Sequence, residues 1–227
     1  MIMGIRETVA LLALAVGGSL LPSAAAAQAP LTAQSGGPTS QEAFHIANWV
    51  TRAGDNRGLP FVVIDKRSAM VLVYDAEGKL LGATPALLGM AQGDESVPGI
   101  GDRELATITP DQRTTPAGRF QATFGPATGI GKVLWVDYAS SIALHPLVKG
   151  SKTDRRRERL QSPSPQDNRI TYGCINISAA FFENVVVAAL SKSAGGVVYT
   201  LPETKTLNAV FPTFSIRGQP QSLANTE

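Results

Sequence analysis

The chain predicts a mostly β fold, a sandwich or barrel with one or two short helices. From Leu59 onward, short runs rich in Val, Ile, Phe and Tyr recur, each closed by Gly, Pro, Asp or Ser, which is the pattern of short strands joined by turns. Helical periodicity shows only near Ser40 and again after Ser178. With 44% hydrophobic and 17% charged residues among 227, the chain has apolar material for one core and charge to solvate it.

Arg6 precedes an apolar stretch from Val9 to Leu21, broken by Gly17, Gly18 and Ser19 and closed by Pro22 and small residues from Ser23 to Ala27. That is the form of a cleavable export signal over 1–27. A membrane anchor needs about 20 continuous apolar residues, and the glycines and proline shorten this segment. A lipid anchor would place a cysteine at the cleavage point, whereas the single cysteine lies far downstream. No later segment is long and apolar enough to span, so the mature protein is expected in the periplasm or cell envelope without a membrane span. Residues 28–39, mostly Ala, Gln, Ser, Gly, Thr and Pro, read as a linker.

A single domain is expected over 40–216. Ser40 caps a helix to about Arg52 with Phe44, Ala47 and Val50 on one side. Phe61–Asp65 and Met70–Tyr74 form a hairpin about the polar connection Lys66-Arg67-Ser68, and Lys79 to Leu88 makes the next strand. Gly89 to Asp111, rich in Gly, Pro and Asp, is expected to be a long surface loop. Strands resume at Arg119–Phe124, Lys132–Tyr138 and Ser141–His145. Ser178 caps a helix to Leu190 whose apolar stripe is Phe181, Phe182, Val185, Val186 and Ala189. Val197–Leu201 is the last strand, and 217–227 a frayed tail.

Twenty basic against eighteen acidic residues leave a net charge of +2, which favours neither nucleic acid nor a membrane surface as partner. One cysteine and two histidines argue against a Cys/His zinc site, while sites built on Asp and Glu stay open. Gly125 to Lys132 resembles a phosphate loop, but Pro126 stands where its first glycine belongs and Val133 where Ser or Thr belongs. No Gly-x-Ser-x-Gly motif occurs.

Cys174 sits in Thr171-Tyr172-Gly173-Cys174-Ile175-Asn176. An oxidising compartment consumes unpaired thiols, so a lone cysteine in an exported chain points to reactivity; the alternative is a small buried hydrophobe. A thiol attacks carbonyls as thiolate and needs a base, for which imidazole is the usual partner. His145 ends a strand before Pro146, whereas His45 lies among helix residues. Ile170–Gly173 is itself strand-like, and if it neighbours the His145 strand, thiol and imidazole meet at a sheet edge. Gly173 lets substrate approach the backbone, and the N–H groups of Gly173 and Cys174, with Tyr172, are the candidate oxyanion donors. Histidine before cysteine is the reverse of the papain order.

These residues resemble the L,D-transpeptidase catalytic domain, the YkuD-like family of bacterial cell-wall enzymes. Its signature is an upstream histidine followed by Ser/Thr-His-Gly-Cys, an apolar residue and Asn or Arg. Thr171, Gly173, Cys174, Ile175 and Asn176 match it, His145 takes the upstream place, and Thr115-Pro116-Ala117-Gly118-Arg119-Phe120 is similar to the family's Thr-Pro-x-Gly-x-Phe segment. The similarity spans roughly Leu59 to Leu201. Tyr172 replaces the motif's second histidine, Pro146 follows His145 where glycine is usual, and the gap before Thr171 is long. That gap carries Lys152, Arg155, Arg156, Arg157 and Arg159, whose default reading is a solvated loop and whose alternative is a lid touching acidic groups.

The resemblance implies a YkuD-like β-sandwich or barrel and a reaction on peptidoglycan stem peptides. Cys174 would attack the L,D bond of a tetrapeptide with His145 as base, release D-alanine, and pass the acyl group to an amine on another stem or an envelope protein. Water as acceptor would make a carboxypeptidase or endopeptidase, and loss of turnover a wall-binding module. Thr171, Tyr172, Asn176 and Arg169 would contact substrate, Arg169 through a carboxylate. No metal or organic cofactor is required, and carbapenem-type β-lactams would acylate Cys174.

Overall fold

The computed structural model describes residues 40–214; the expected signal, linker and tail lie outside them. Among the described residues ten strands occur: β1 (Phe61–Asp65), β2 (Met70–Tyr74), β3 (Leu80–Pro85), β4 (Leu88–Gly89), β5 (Gly118–Ala127), β6 (Gly131–Asp137), β7 (Ile142–Pro146), β8 (Arg169–Thr171), β9 (Ile175–Ile177) and β10 (Gly195–Thr200). Eight make one sheet in the order β3-β2-β1-β10-β5-β6-β7-β9, and β4 pairs with β8. The fold is therefore mostly β, as expected.

The sheet is covered on both faces around β1, which explains the unbroken apolar runs of β1 and β2. Val62, Ile64, Val71, Val73 and Val198 face a core shared with Leu134, Leu144, Ile175 and Phe182. Alternate residues Phe61, Val63, Leu72, Tyr74, Val197 and Tyr199 face a second layer. That layer is α1 (Gln41–Ala53) and the segment ending in Phe211 and Phe214, with Trp49 edge-on to Tyr199 and Phe214. Ser40 does cap α1, its Oγ accepting from Ala43 N, but the buried stripe is Ala43, Ile46, Ala47, Trp49 and Val50. Phe44 is 45% exposed, a one-residue error of helical phase.

The helix after β9 begins as α at Ala179–Phe181, widens to π over Phe182–Val187 and returns to α at Ala188–Leu190. Ser178 Oγ accepts from Phe181 N as its cap. The widened turn presents Phe182, Val185 and Val186 to the first core. No helix among the described residues is long and apolar enough to cross a membrane.

The two outer strands of the large sheet, β3 and β9, are brought together by the chain that follows β3. Leu87 and Asn176 exchange backbone hydrogen bonds, 2.8 Å from Leu87 N to Asn176 O and 2.9 Å in return. Met90 N adds a bond to Thr171 O. The sheet thus closes on itself through a seam at Asn176, two residues after the cysteine.

Residues 89–111, expected as a surface loop, are instead anchored. Ile100 and Ile108 are buried, and Asp94 is 7% exposed. Lys66, expected in a polar turn, is fully buried and donates to Asp94 Oδ1 at 2.8 Å, to Thr115 O at 2.9 Å and to Gly93 O. Asp94 also accepts from the backbone N–H groups of Glu203, Thr204 and Lys205. Burial alone would push the Asp94 pKa up, but the bonds from Lys66, Thr204 and these amides hold it well below the usual carboxylate range.

Candidate active site

β7 and β9 run side by side and parallel, with Leu144 opposite Ile175 and His145 opposite Asn176. Leu144 and Ile175 face the core, so the alternation places His145 and Asn176 on the other face. Cys174 stands one residue before β9, beside the end of β7 where Ser141 and Ala143 present their backbone groups. The expectation that Ile170–Gly173 neighbours the histidine strand is corrected: β8 pairs with β4, and the strand following the cysteine is the neighbour.

His145 is 3% exposed and both ring nitrogens are engaged. Nδ1 lies 2.8 Å from Pro146 O and Nε2 lies 3.0 Å from Asn176 Nδ2. A carbonyl only accepts and an amide nitrogen only donates, so Nδ1 carries the proton and Nε2 is the free base. Asn176 Oδ1 in turn accepts from Arg156 Nη1 at 3.2 Å. Arg156, Asn176, His145 and Pro146 O form one chain in which every proton points the same way. Burial lowers the His145 pKa, Pro146 O offsets this in part, and the nearby Arg156 charge lowers it further. The balance of these effects favours the neutral ring.

Cys174 is half-buried, and its Sγ donates to Ser141 O at 3.6 Å. Burial pushes its pKa up, with the Ala143 N–H acting the other way. Thiol and imidazole do not hydrogen-bond to one another; the sulfur rests toward Ser141, at the opposite end of β7 from His145. At ~3.3 Å of strand per residue, the two-residue stagger amounts to roughly 6–7 Å.

The turn that delivers Cys174 is held by its own side chains. Thr171 Oγ1 donates to Cys174 O at 2.7 Å and accepts from Gly173 N at 3.1 Å. Thr115 Oγ1 donates to Gly173 O at 2.8 Å. Gly173 has φ +130°, and a Cβ there would lie 2.5 Å from Ile142 Cδ1 and 2.7 Å from Thr114 O. Two expectations change accordingly. Gly173 N–H is taken by Thr171 and does not serve as an oxyanion donor, whereas the Cys174 and Tyr172 N–H groups make no hydrogen bond among the described residues. Thr171 is 3% exposed and braces the turn rather than facing a substrate.

Arg169, expected at a substrate carboxylate, forms a two-pronged pair with Glu203 and donates to Lys66 O at 2.8 Å, so it belongs to the buried charge network. Tyr172 lies beneath the Arg113 guanidinium, 3.9 Å from carbon to ring centroid, and Arg113 is itself tied to Ile108 O. Asn176 bridges Arg156 and His145 instead of standing open to substrate. His45 is exposed on α1, away from the chemistry. Sequence reasoning missed the Arg156 contact because it was one of several cations in a run that read as solvated.

No protein-family model matches the chain, and no curated protein does. Among solved structures, the chain is similar to an L,D-transpeptidase from Xylanimonas cellulosilytica at 16% identity and TM-score 0.38, over 63% of this chain and 60% of that one. The catalytic domain of an E. faecium L,D-transpeptidase aligns at 15% identity and TM-score 0.37, over 62% and 95%. A helical cell shape determining protein of Campylobacter jejuni aligns at 16% and 0.40, over 70% and 55%.

Proposed function

We propose that the chain is a cysteine acyltransferase of the L,D-transpeptidase type, acting on peptidoglycan stem peptides. The observation that carries this reading is a lone thiol at the β7 edge, about two residues along the strand from a buried imidazole whose tautomer is fixed by a carbonyl. A thiol kept protonated by burial needs a base, and Nε2 of His145 is an acceptor.

Rotation of Cys174 about χ1 turns the sulfur from Ser141 toward His145, whose Nε2 exchanges Asn176 for the thiol. The S–H proton passes to Nε2 as sulfur bonds to the carbonyl carbon of the L,D peptide bond. The Cys174 N–H supports the oxyanion. Collapse breaks the C–N bond, imidazolium returns the proton to the departing D-alanine amine, and a thioester remains. An acceptor amine then gives a proton to His145, attacks the thioester and restores the thiol. The match of Thr171, Gly173, Cys174, Ile175 and Asn176 with the family signature supports the substrate class, and the signal-like segment 1–27 supports an address in the envelope.

Incubating the protein with tetrapeptide muropeptides and reading products by mass tests the reading. Loss of D-alanine with a cross-linked dimer is expected, abolished by Cys174→Ala. Tripeptide without dimer would assign water as the acceptor. Unchanged substrate with no acyl adduct on Cys174 would end the proposal.

A further inference from the structure

Beyond β7 the chain forms an open cleft of about 410 Å³ whose lining includes Leu147, Val148, Lys149, Lys152, Arg156 and Arg157. It opens directly off the strand end that carries His145, since Leu147 N continues the β7–β9 pairing with a 2.8 Å bond to Ile177 O. Its charges are unevenly answered. Arg155 pairs with Glu158 and Arg156 with Asp154, but Lys149, Lys152 and Arg157 are exposed and make no ion pair among the described residues. Like charges gathered at one cleft repel, and an anion relieves them. Leu147 and Val148 add an apolar wall that suits a peptide better than a bare ion. Arg156 connects this cleft to Asn176 and through it to His145.

We propose that this cleft is the docking subsite for a stem peptide bearing free carboxylates. The inference rests on the peptide substrate proposed above and adds the chemical group by which it is held. Lys149, Lys152 and Arg157 take the carboxylates, and Leu147 with Val148 takes the intervening apolar atoms.

Binding is measured by anisotropy on the full chain carrying Cys174→Ala, with a labelled stem peptide in its acid form and in a fully amidated form. The acid form is expected to bind about tenfold more tightly, a contrast in line with a few exposed charge pairs and one that shrinks with added salt. Combined Lys149→Gln, Lys152→Gln and Arg157→Gln, all surface changes, should bring the two forms to equal affinity without moving the melting temperature. Equal affinities in the parent protein, or a contrast that survives the three substitutions, would overturn the subsite. So would displacement of the acid peptide by inorganic phosphate at concentrations below the peptide's own Kd, which would mark a phosphate site. A contrast in binding without acyl transfer by the unmodified protein would sink the reaction and leave the subsite standing; turnover without the contrast would do the reverse.

Discussion

His145 carries its meaning in what its two nitrogens touch. Because burial and the Arg156 charge both disfavour the proton, an NMR titration should place its midpoint below the ordinary imidazole value of about 6.5. Arg156→Gln removes one of the two lowering causes and should move that midpoint up, and with it the acid limb of activity. The sign for stability follows. The unfolded chain binds the proton more readily, so this residue's contribution is present above about pH 6.5 and is lost as pH falls toward and through the lowered folded value. Cys174 moves the other way: alkylation should be slow at neutral pH and climb beyond the ordinary thiol range of about 8.5. Rapid alkylation at pH 6 would reveal a thiolate–imidazolium pair and exclude the general-base scheme. If the thiol is the nucleophile, a carbapenem should add its mass to the intact protein, and Cys174→Ala should remove the adduct.

At the scale of elements, the turn before β9 and the buried network behind it set where the thiol sits. Gly173→Ala forces a left-handed φ on a residue with a side chain and drives its Cβ into Ile142 and Thr114 O, so a loss of about 1–3 kcal/mol by urea unfolding is expected, together with turnover. Asp94→Asn leaves the fully buried Lys66 only the longer pair with Glu203, at 3.6 Å, and should cost about 1.5–3 kcal/mol in the same assay. Strands such as β1 and β2 were legible in the sequence because two-sided burial writes a nearly unbroken apolar run. The π turn was not, because widening by one residue leaves the apolar stripe nearly unaltered. Nor was the network, since Lys66, Asp94, Arg169 and Glu203 are far apart in sequence and each reads alone as a solvated charge. The candidate site was half legible: Cys174 and His145 stood out by rarity, while the orienting roles of Asn176 and Arg156 depend on a register that only the folded sheet supplies.

For the molecule as a whole, covering the sheet on both faces distributes the core across two layers, and the second depends on α1. Trp49→Ala opens a cavity against Tyr199, Phe211 and Phe214 and should cost about 3–5 kcal/mol, read as a lower melting temperature. The site lies near the join between the terminal strands. A curled sheet whose margins grip one another offers no continuous ribbon of vacant amides and carbonyls to a neighbouring molecule. That grip is also the contact made between the most widely separated parts of the β order, so it is the natural place for the shell to part. Native-state hydrogen exchange should find the Leu87 and Asn176 amides opening with a smaller free energy than those of β1 and β10. The imidazole's neighbour would then loosen first, and catalysis would fade on warming before the fold does.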